Sequence, residues 1–108
     1  MSASPIYVED GLSVAEIEQL SGPVVIDFGT NWCEFCQQAK PLADTVLVRF
    51  PQVRHFRSED GKGRLPGRAF KVKLWPTLIF LLDGIEVTRL VRPHDVADIE
   101  QALQLLCK

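Results

Sequence analysis

The chain has 108 residues, is 46% hydrophobic and 24% charged, and carries a formal net charge of −2. That length predicts one domain over residues 1–108, large enough to bury a core without disulfide staples. The composition excludes a disordered chain, and the near-balanced charge gives no global case for binding nucleic acid or a membrane surface.

Local charge is less even. Between Arg49 and Lys73 lie Arg54, Arg57, Lys62, Arg64, Arg68 and Lys71, against only Glu59 and Asp60. The plain reading is a solvated face, and the sharper one is a docking surface for an acidic partner protein. No recognised motif or interleaved aromatics favour nucleic acid. Met1 to Pro5 lacks a basic stretch followed by an apolar run, and the longest apolar run, Leu78 to Leu82, is too short to span a bilayer. These features predict a cytoplasmic monomer with no membrane partner. In that compartment a close cysteine pair is catalytic or metal-binding more often than structural.

In chain order, Ile6 to Val8 reads as a short strand. Ser13 to Leu20 reads as a helix, with Ser13 as N-cap and Glu16 completing a capping box. Val24 to Phe28 follows a Ser-Gly-Pro breaker and is short, β-branched and apolar, as a buried central strand requires. From Cys33 to about Phe50, the residues Ala39, Leu42, Ala43, Val46, Leu47 and Phe50 keep helical spacing, with Pro41 as an interruption. Val53 to Arg57 is a strand candidate, Asp60 to Gly67 a Gly-rich loop, and Arg68 to Phe70 a short helix. Thr77 to Leu82 and Ile85 to Val91 read as a hairpin joined by Asp83-Gly84. Asp95 caps a final helix whose stripe is Val96, Ile99, Leu103 and Leu106. Cys107 follows one turn after Leu103, and a buried structural thiol is expected there rather than a regulatory or dimer-forming one. The order β α β α β α β β α predicts an α/β fold, a mixed sheet with helices on both faces.

Cys33 and Cys36 frame Trp32-Cys33-Glu34-Phe35-Cys36. Such a pair can hold half of a zinc site, form a disulfide, or exchange electrons. Zinc is disfavoured because only Cys107, His55 and His94 remain as ligands and none has partner spacing, so no metal is expected. Redox exchange suits the position, where a buried strand turns into a helix. Residues three apart share a helix face, and the first turn's unpaired N–H groups and dipole favour a thiolate at Cys33. Cys36, a turn deeper, is placed to resolve a mixed disulfide.

Asp27-Phe28, then Trp32-Cys33-x-x-Cys36, then Pro41, then Trp75-Pro76-Thr77 before a strand, together resemble the thioredoxin family over about residues 6 to 106. The resemblance implies a thioredoxin-like three-layer α/β/α sandwich around a central mixed β-sheet. It makes Cys33 the attacking nucleophile, Cys36 the resolving cysteine, Pro76 a cis-proline facing the site, and Asp27 a buried acid that handles the resolving cysteine's proton. On residues alone, Pro76 would be an ordinary trans proline at a strand start. Asp27 could be a strand-edge carboxylate facing water, although Val24, Val25, Ile26 and Phe28 around it favour burial.

Departures from the family pattern cluster at the site. Glu34-Phe35 stands where Gly-Pro is usual, Gly29 where a tryptophan is common, and Gln37 where many members carry a basic residue. Arg92-Pro93 replaces a small Gly-containing loop near the substrate groove, and Arg57 falls near a lysine's position beside the buried acid. Trp32, Phe35 and Trp75 flank the reactive sulfur and suggest a peptide-binding rim shared with Pro76 and Arg92, with simple packing as the alternative. The leading expectation is an enzyme that reduces disulfides in cytoplasmic proteins and peptides, re-reduced by a thioredoxin reductase or other thiol donor, with no bound cofactor. The alternative is a partner-binding or assembly module of the same fold with slow or single-target redox activity.

Overall fold

The computed structural model describes residues 6–9 and 11–107, so the reading of Met1 to Pro5 lies outside the described residues. A four-stranded sheet in the order β2-β1-β3-β4 is built from β1 (Pro23–Gly29), β2 (Arg54–Glu59), β3 (Thr77–Leu82) and β4 (Ile85–Val91). β1 and β2 run parallel because α2 (Glu34–Leu47) carries the chain across, while β3 is antiparallel to both β1 and β4. The sheet is therefore mixed, with β1 and β3 at its centre.

Alternation along β1 divides the core in two. Val25 faces α2 and α4 (Val96–Leu106), joining Ala43, Val46, Leu78, Phe80, Ile99 and Leu103. Val24, Ile26 and Phe28 face the opposite way, against Ile17 of α1 (Val14–Glu18), with Phe70 just after α3 (Leu65–Ala69). Burying Phe28 and Phe80 completely contributes roughly 1.5–3 kcal/mol each. By the same alternation Asp27 and Gly29 point to the α2 side, so the sheet itself delivers them beneath the start of that helix.

The ends of the elements follow local chemistry. Ser13 accepts a hydrogen bond from the Glu16 N–H at 3.1 Å, and the Glu16 carboxylate accepts one from the Ser13 N–H at 3.0 Å. Asp83 and Gly84 both adopt positive φ, +52° and +80°, the signature of a type I′ hairpin turn. A side chain at Gly84 would collide with the Glu18 carbonyl, so this turn requires glycine.

Several expected elements shift. Ile6 to Val8 contributes one bridge, Val8 to Ser58, rather than a strand. The first helix is shorter than Ser13–Leu20, α2 ends at Leu47 rather than Phe50, and α3 begins at Leu65, before the expected Arg68, with a proline in its first turn. On α4, Val96 is exposed and Ala102 takes its place in the buried face with Ile99, Leu103 and Leu106. The helix turns that face inward from its second turn onward. Cys107 is half-buried as the C-cap of α4, not fully buried, because the helix ends there. No helix among the described residues is long and apolar enough to cross a membrane.

Candidate active site

Cys33 is the N-cap of α2, one residue earlier than the sequence placed it. Its sulfur accepts a hydrogen bond from the Cys36 N–H at 3.3 Å, the role a serine or aspartate oxygen fills at other helix starts. The first-turn N–H groups of α2 therefore converge on this sulfur. Both cysteines are free thiols, with Cys33 7% and Cys36 1% exposed, so the outer sulfur is the one a solvent-borne group can meet.

The rim collects the expected residues. The Trp75–Pro76 peptide is cis, and the Trp75 carbonyl lies 3.9 Å from Cys33 Sγ. Trp32 is 75% and Phe35 50% exposed, and Trp32 packs edge-on against Trp75 with ring centroids 5.6 Å apart. Arg92 donates from Nε to the Trp75 carbonyl at 2.8 Å and lays its guanidinium 4.1 Å from the Phe35 ring centroid. Its own backbone sits at φ +50°, a left-handed conformation costing a non-glycine residue about 1 kcal/mol, and the Arg92 N–H donates to the Pro76 carbonyl at 2.8 Å. Trp32 and Phe35 thus present apolar faces to solvent, while Trp75 is partly buried against Tyr7, Cys33 and Cys36.

Below the rim lies a buried polar group. Asp27 is 1% exposed, as expected, but it is not unpaired. Oδ1 accepts from the Tyr7 hydroxyl at 2.7 Å, and Oδ2 lies 3.4 Å from Arg57 Nε. Arg57, itself buried, reaches on to Asp44 at 2.9 Å. Burial raises the Asp27 carboxyl to about 6, with Tyr7 and Arg57 pulling the other way. Burial also holds the Cys36 thiol above the ordinary range, as does the neighbouring Cys33 sulfur, whereas bonds from the Thr30 backbone and the Tyr7 side chain favour its thiolate. His55, facing the same side from β2, is pushed down to about 4 by burial and by Arg57.

Sequence reading missed three residues here. Tyr7 forms a small cluster with Cys33, Cys36 and Trp75; its signal is that it is the chain's sole tyrosine, arriving from a segment with no regular element. Asp60 accepts a hydrogen bond from the Trp75 indole at 2.8 Å and fixes that ring. Asn31 clamps the Tyr7 backbone, accepting from its N–H at 2.7 Å and donating to its carbonyl at 3.2 Å. Among the described residues no three His, Cys, Asp or Glu converge to hold a metal ion.

The two thiols lie at a helix start beside a cis-proline and over a buried acid, and the chain matches the family model for thioredoxin across residues 9–105. The chain belongs to the thioredoxin family. A solved structure, thioredoxin 2 from Pseudomonas aeruginosa in its reduced form, superposes with a TM-score of 0.85 at 45% identity, covering 94% of this chain and 95% of that one. The thioredoxin of Chlamydia pneumoniae is 32% identical over 75 residues, 69% of this chain and 74% of its own. That of Chlamydia trachomatis is 31% identical over 88 residues, 82% and 83% respectively. Membership brings thiol–disulfide oxidoreductase chemistry at the level of the family, and the thioredoxin fold supplies the sheet and α2 start on which it runs.

Proposed function

We propose that this protein reduces disulfide bonds in cytoplasmic proteins through a dithiol–disulfide cycle of Cys33 and Cys36, acting as one domain over residues 1–108. The observation that carries the reading is Cys33 Sγ at the mouth of α2, accepting the Cys36 N–H at 3.3 Å beneath an exposed aromatic rim. Cys33 attacks one sulfur of the substrate disulfide, forming a mixed disulfide and expelling the first substrate thiolate. Cys36, deprotonated, then attacks Cys33 Sγ, releasing the second thiolate and leaving the Cys33–Cys36 disulfide. Asp27 is the group that accepts the Cys36 proton, and its value near neutrality suits that task. Trp32, Phe35, Trp75, Pro76 and Arg92 form the surface against which the substrate chain lies. A thioredoxin reductase or another thiol donor restores the dithiol, and the two sulfurs carry the electrons without a bound cofactor. The test is turnover of a generic protein disulfide coupled to a thioredoxin reductase. Cys33→Ser abolishes it and Cys36→Ser accumulates a covalent mixed disulfide; unchanged turnover in Cys33→Ser would sink the assignment.

One observation favours a narrower partner range. A cleft of about 460 Å³ beside Trp75 is lined by Lys62, Arg68, Lys71 and Lys73 together with Asp60 and with Arg64, which pairs with Glu9 and Glu59, so an excess of cations stands next to the rim of a chain whose net charge is −2. An acidic segment flanking the target cysteine would be steered there. For such a specialised module, a generic disulfide is turned over slowly. An acidic one is turned over faster at low salt, with the advantage lost as salt rises.

A further inference from the structure

We propose that Tyr7 relays the proton of Cys36 to Asp27, its hydroxyl standing between the thiol and the carboxylate. The inference rests on the dithiol–disulfide reading above and concerns its second step. Three observations place the phenol. The Tyr7 hydroxyl donates to Asp27 Oδ1 at 2.7 Å, with both residues buried. A Cβ at Gly29 would sit 2.6 Å from Cys36 Sγ and 2.8 Å from Tyr7 Cζ, so sulfur and phenol crowd a single point that only glycine leaves free. Asn31 holds the Tyr7 backbone against the active-site loop with a hydrogen bond in each direction.

A hydroxyl has one proton to give and lone pairs to receive another. Before transfer, the Cys36 S–H points to Tyr7 Oη, and the Tyr7 O–H points to ionised Asp27. In the transfer, the Cys36 S–H bond breaks as an O–H bond forms on Tyr7, while the original Tyr7 proton passes to Asp27 Oδ1. The products are the Cys36 thiolate, a still-neutral tyrosine now donating to that thiolate, and a protonated Asp27. The thiolate then displaces the substrate sulfur from Cys33. No free phenolate forms, consistent with a phenol that burial and the Asp27 carboxylate hold far above its ordinary range. The charged and titratable groups around this chain are Asp27 on β1, Arg57 and His55 on β2, Asp44 on α2 beyond them, and Cys33 beside Cys36.

Tyr7→Phe keeps the ring over Gly29 and deletes the relay. The protein is loaded at low pH with a cysteine peptide as a Cys33 mixed disulfide, then jumped to neutral pH, and release of the peptide thiol is timed. Release is expected to slow at least ~10-fold, less than the full ~10²–10⁴ of a lost acid–base group because water can enter in part. The Cys36 titration, followed by carbon-13 NMR of labelled cysteine, is expected to move up. Tyr7→Phe combined with Asp27→Asn is expected to be no slower than the slower single variant, since one chain is cut twice. Release within twofold of wild type, or losses that multiply in the double variant, would overturn the relay. A second measurement needs no mutation. Tyr7 is the sole tyrosine, so biosynthetic tyrosine carrying carbon-13 at Cζ labels it alone and leaves its acidity unchanged. Its Cζ signal is expected to titrate with Asp27 near 6 and to lose that titration in Asp27→Asn. A signal flat across that range refutes the Tyr7–Asp27 link. Failure of wild type to release any peptide thiol, with the Cζ titration intact, identifies the dithiol–disulfide reading as the one that fell and takes the relay with it.

Discussion

Asp27 is held where ionising it is unfavourable, so replacing it by asparagine tests the burial argument directly. Its carboxyl lies at about 6 in the fold against an ordinary 3.8, and that gap corresponds to ~3 kcal/mol of destabilisation by the ionised form. The sign follows from proton counting. Between those two values the folded state binds more protons than the unfolded one, so stability falls as pH rises, and the cost is complete above about 6. Asparagine removes the charge and still accepts from Tyr7, but its amide presents a donor toward Arg57 where a carboxylate oxygen stood, returning ~1 kcal/mol. The net expectation is a gain of about 2 kcal/mol above neutral pH, a shift of roughly 1 M in the urea midpoint. The gain shrinks as pH falls, and near 4, where most of the burial cost is gone, the lost contact to Arg57 leaves the variant level with wild type or slightly below it. Urea unfolding of both proteins under reductant at the two pH values reads this out, with His55 titrating alike in each. A lower midpoint for Asp27→Asn above neutral pH, or a gain of equal size at both, would refute the claim that buried charge on Asp27 strains the fold.

Gly29→Ala sets a Cβ 2.6 Å from Cys36 Sγ and 2.8 Å from Tyr7 Cζ, so it costs about 1–3 kcal/mol in thermal or urea unfolding and slows disulfide turnover together. His55 stays neutral down to about 4 in the fold whereas the unfolded side chain protonates near 6.5; stability is therefore lost as pH falls through that window, by at most ~3 kcal/mol. His55→Leu flattens that limb in a pH series of unfolding midpoints. Arg92→Gly relieves the left-handed backbone at φ +50° but gives up the Trp75 carbonyl bond and the Phe35 stacking, each about 1 kcal/mol, so stability stays within ~1 kcal/mol of wild type. The same change raises KM for a protein disulfide several-fold; an unchanged KM would remove Arg92 from the substrate surface.

Much of this molecule could be read from local pattern because its cause is local. The capping box at Ser13, the apolar run of β1, the Asp83-Gly84 turn and the helical spacing after Cys33 each depend on residues within a few positions of one another, and each element formed where expected to within a few residues. The Cys33–Cys36 pair at a strand-to-helix junction belongs to the same class, since α2 alone brings the two residues to one face. What spacing could not supply is anything joining distant segments. Tyr7 reaches Asp27 across twenty positions and Arg92 reaches Trp75 across seventeen, and no periodicity encodes either contact. Gly29 is informative only once the phenol and the sulfur are seen to share the space its missing side chain leaves. In the sequence Arg57 stands only near the position of a family lysine, and it is the parallel register that sets it opposite Asp27. Even the polarity of the acid was a tertiary matter: alternation could turn Asp27 inward, but the sheet partners, the N-terminal segment and α2 decided whether it would be neutralised, paired or linked to a thiol, because a buried charge takes its energy from everything packed around it.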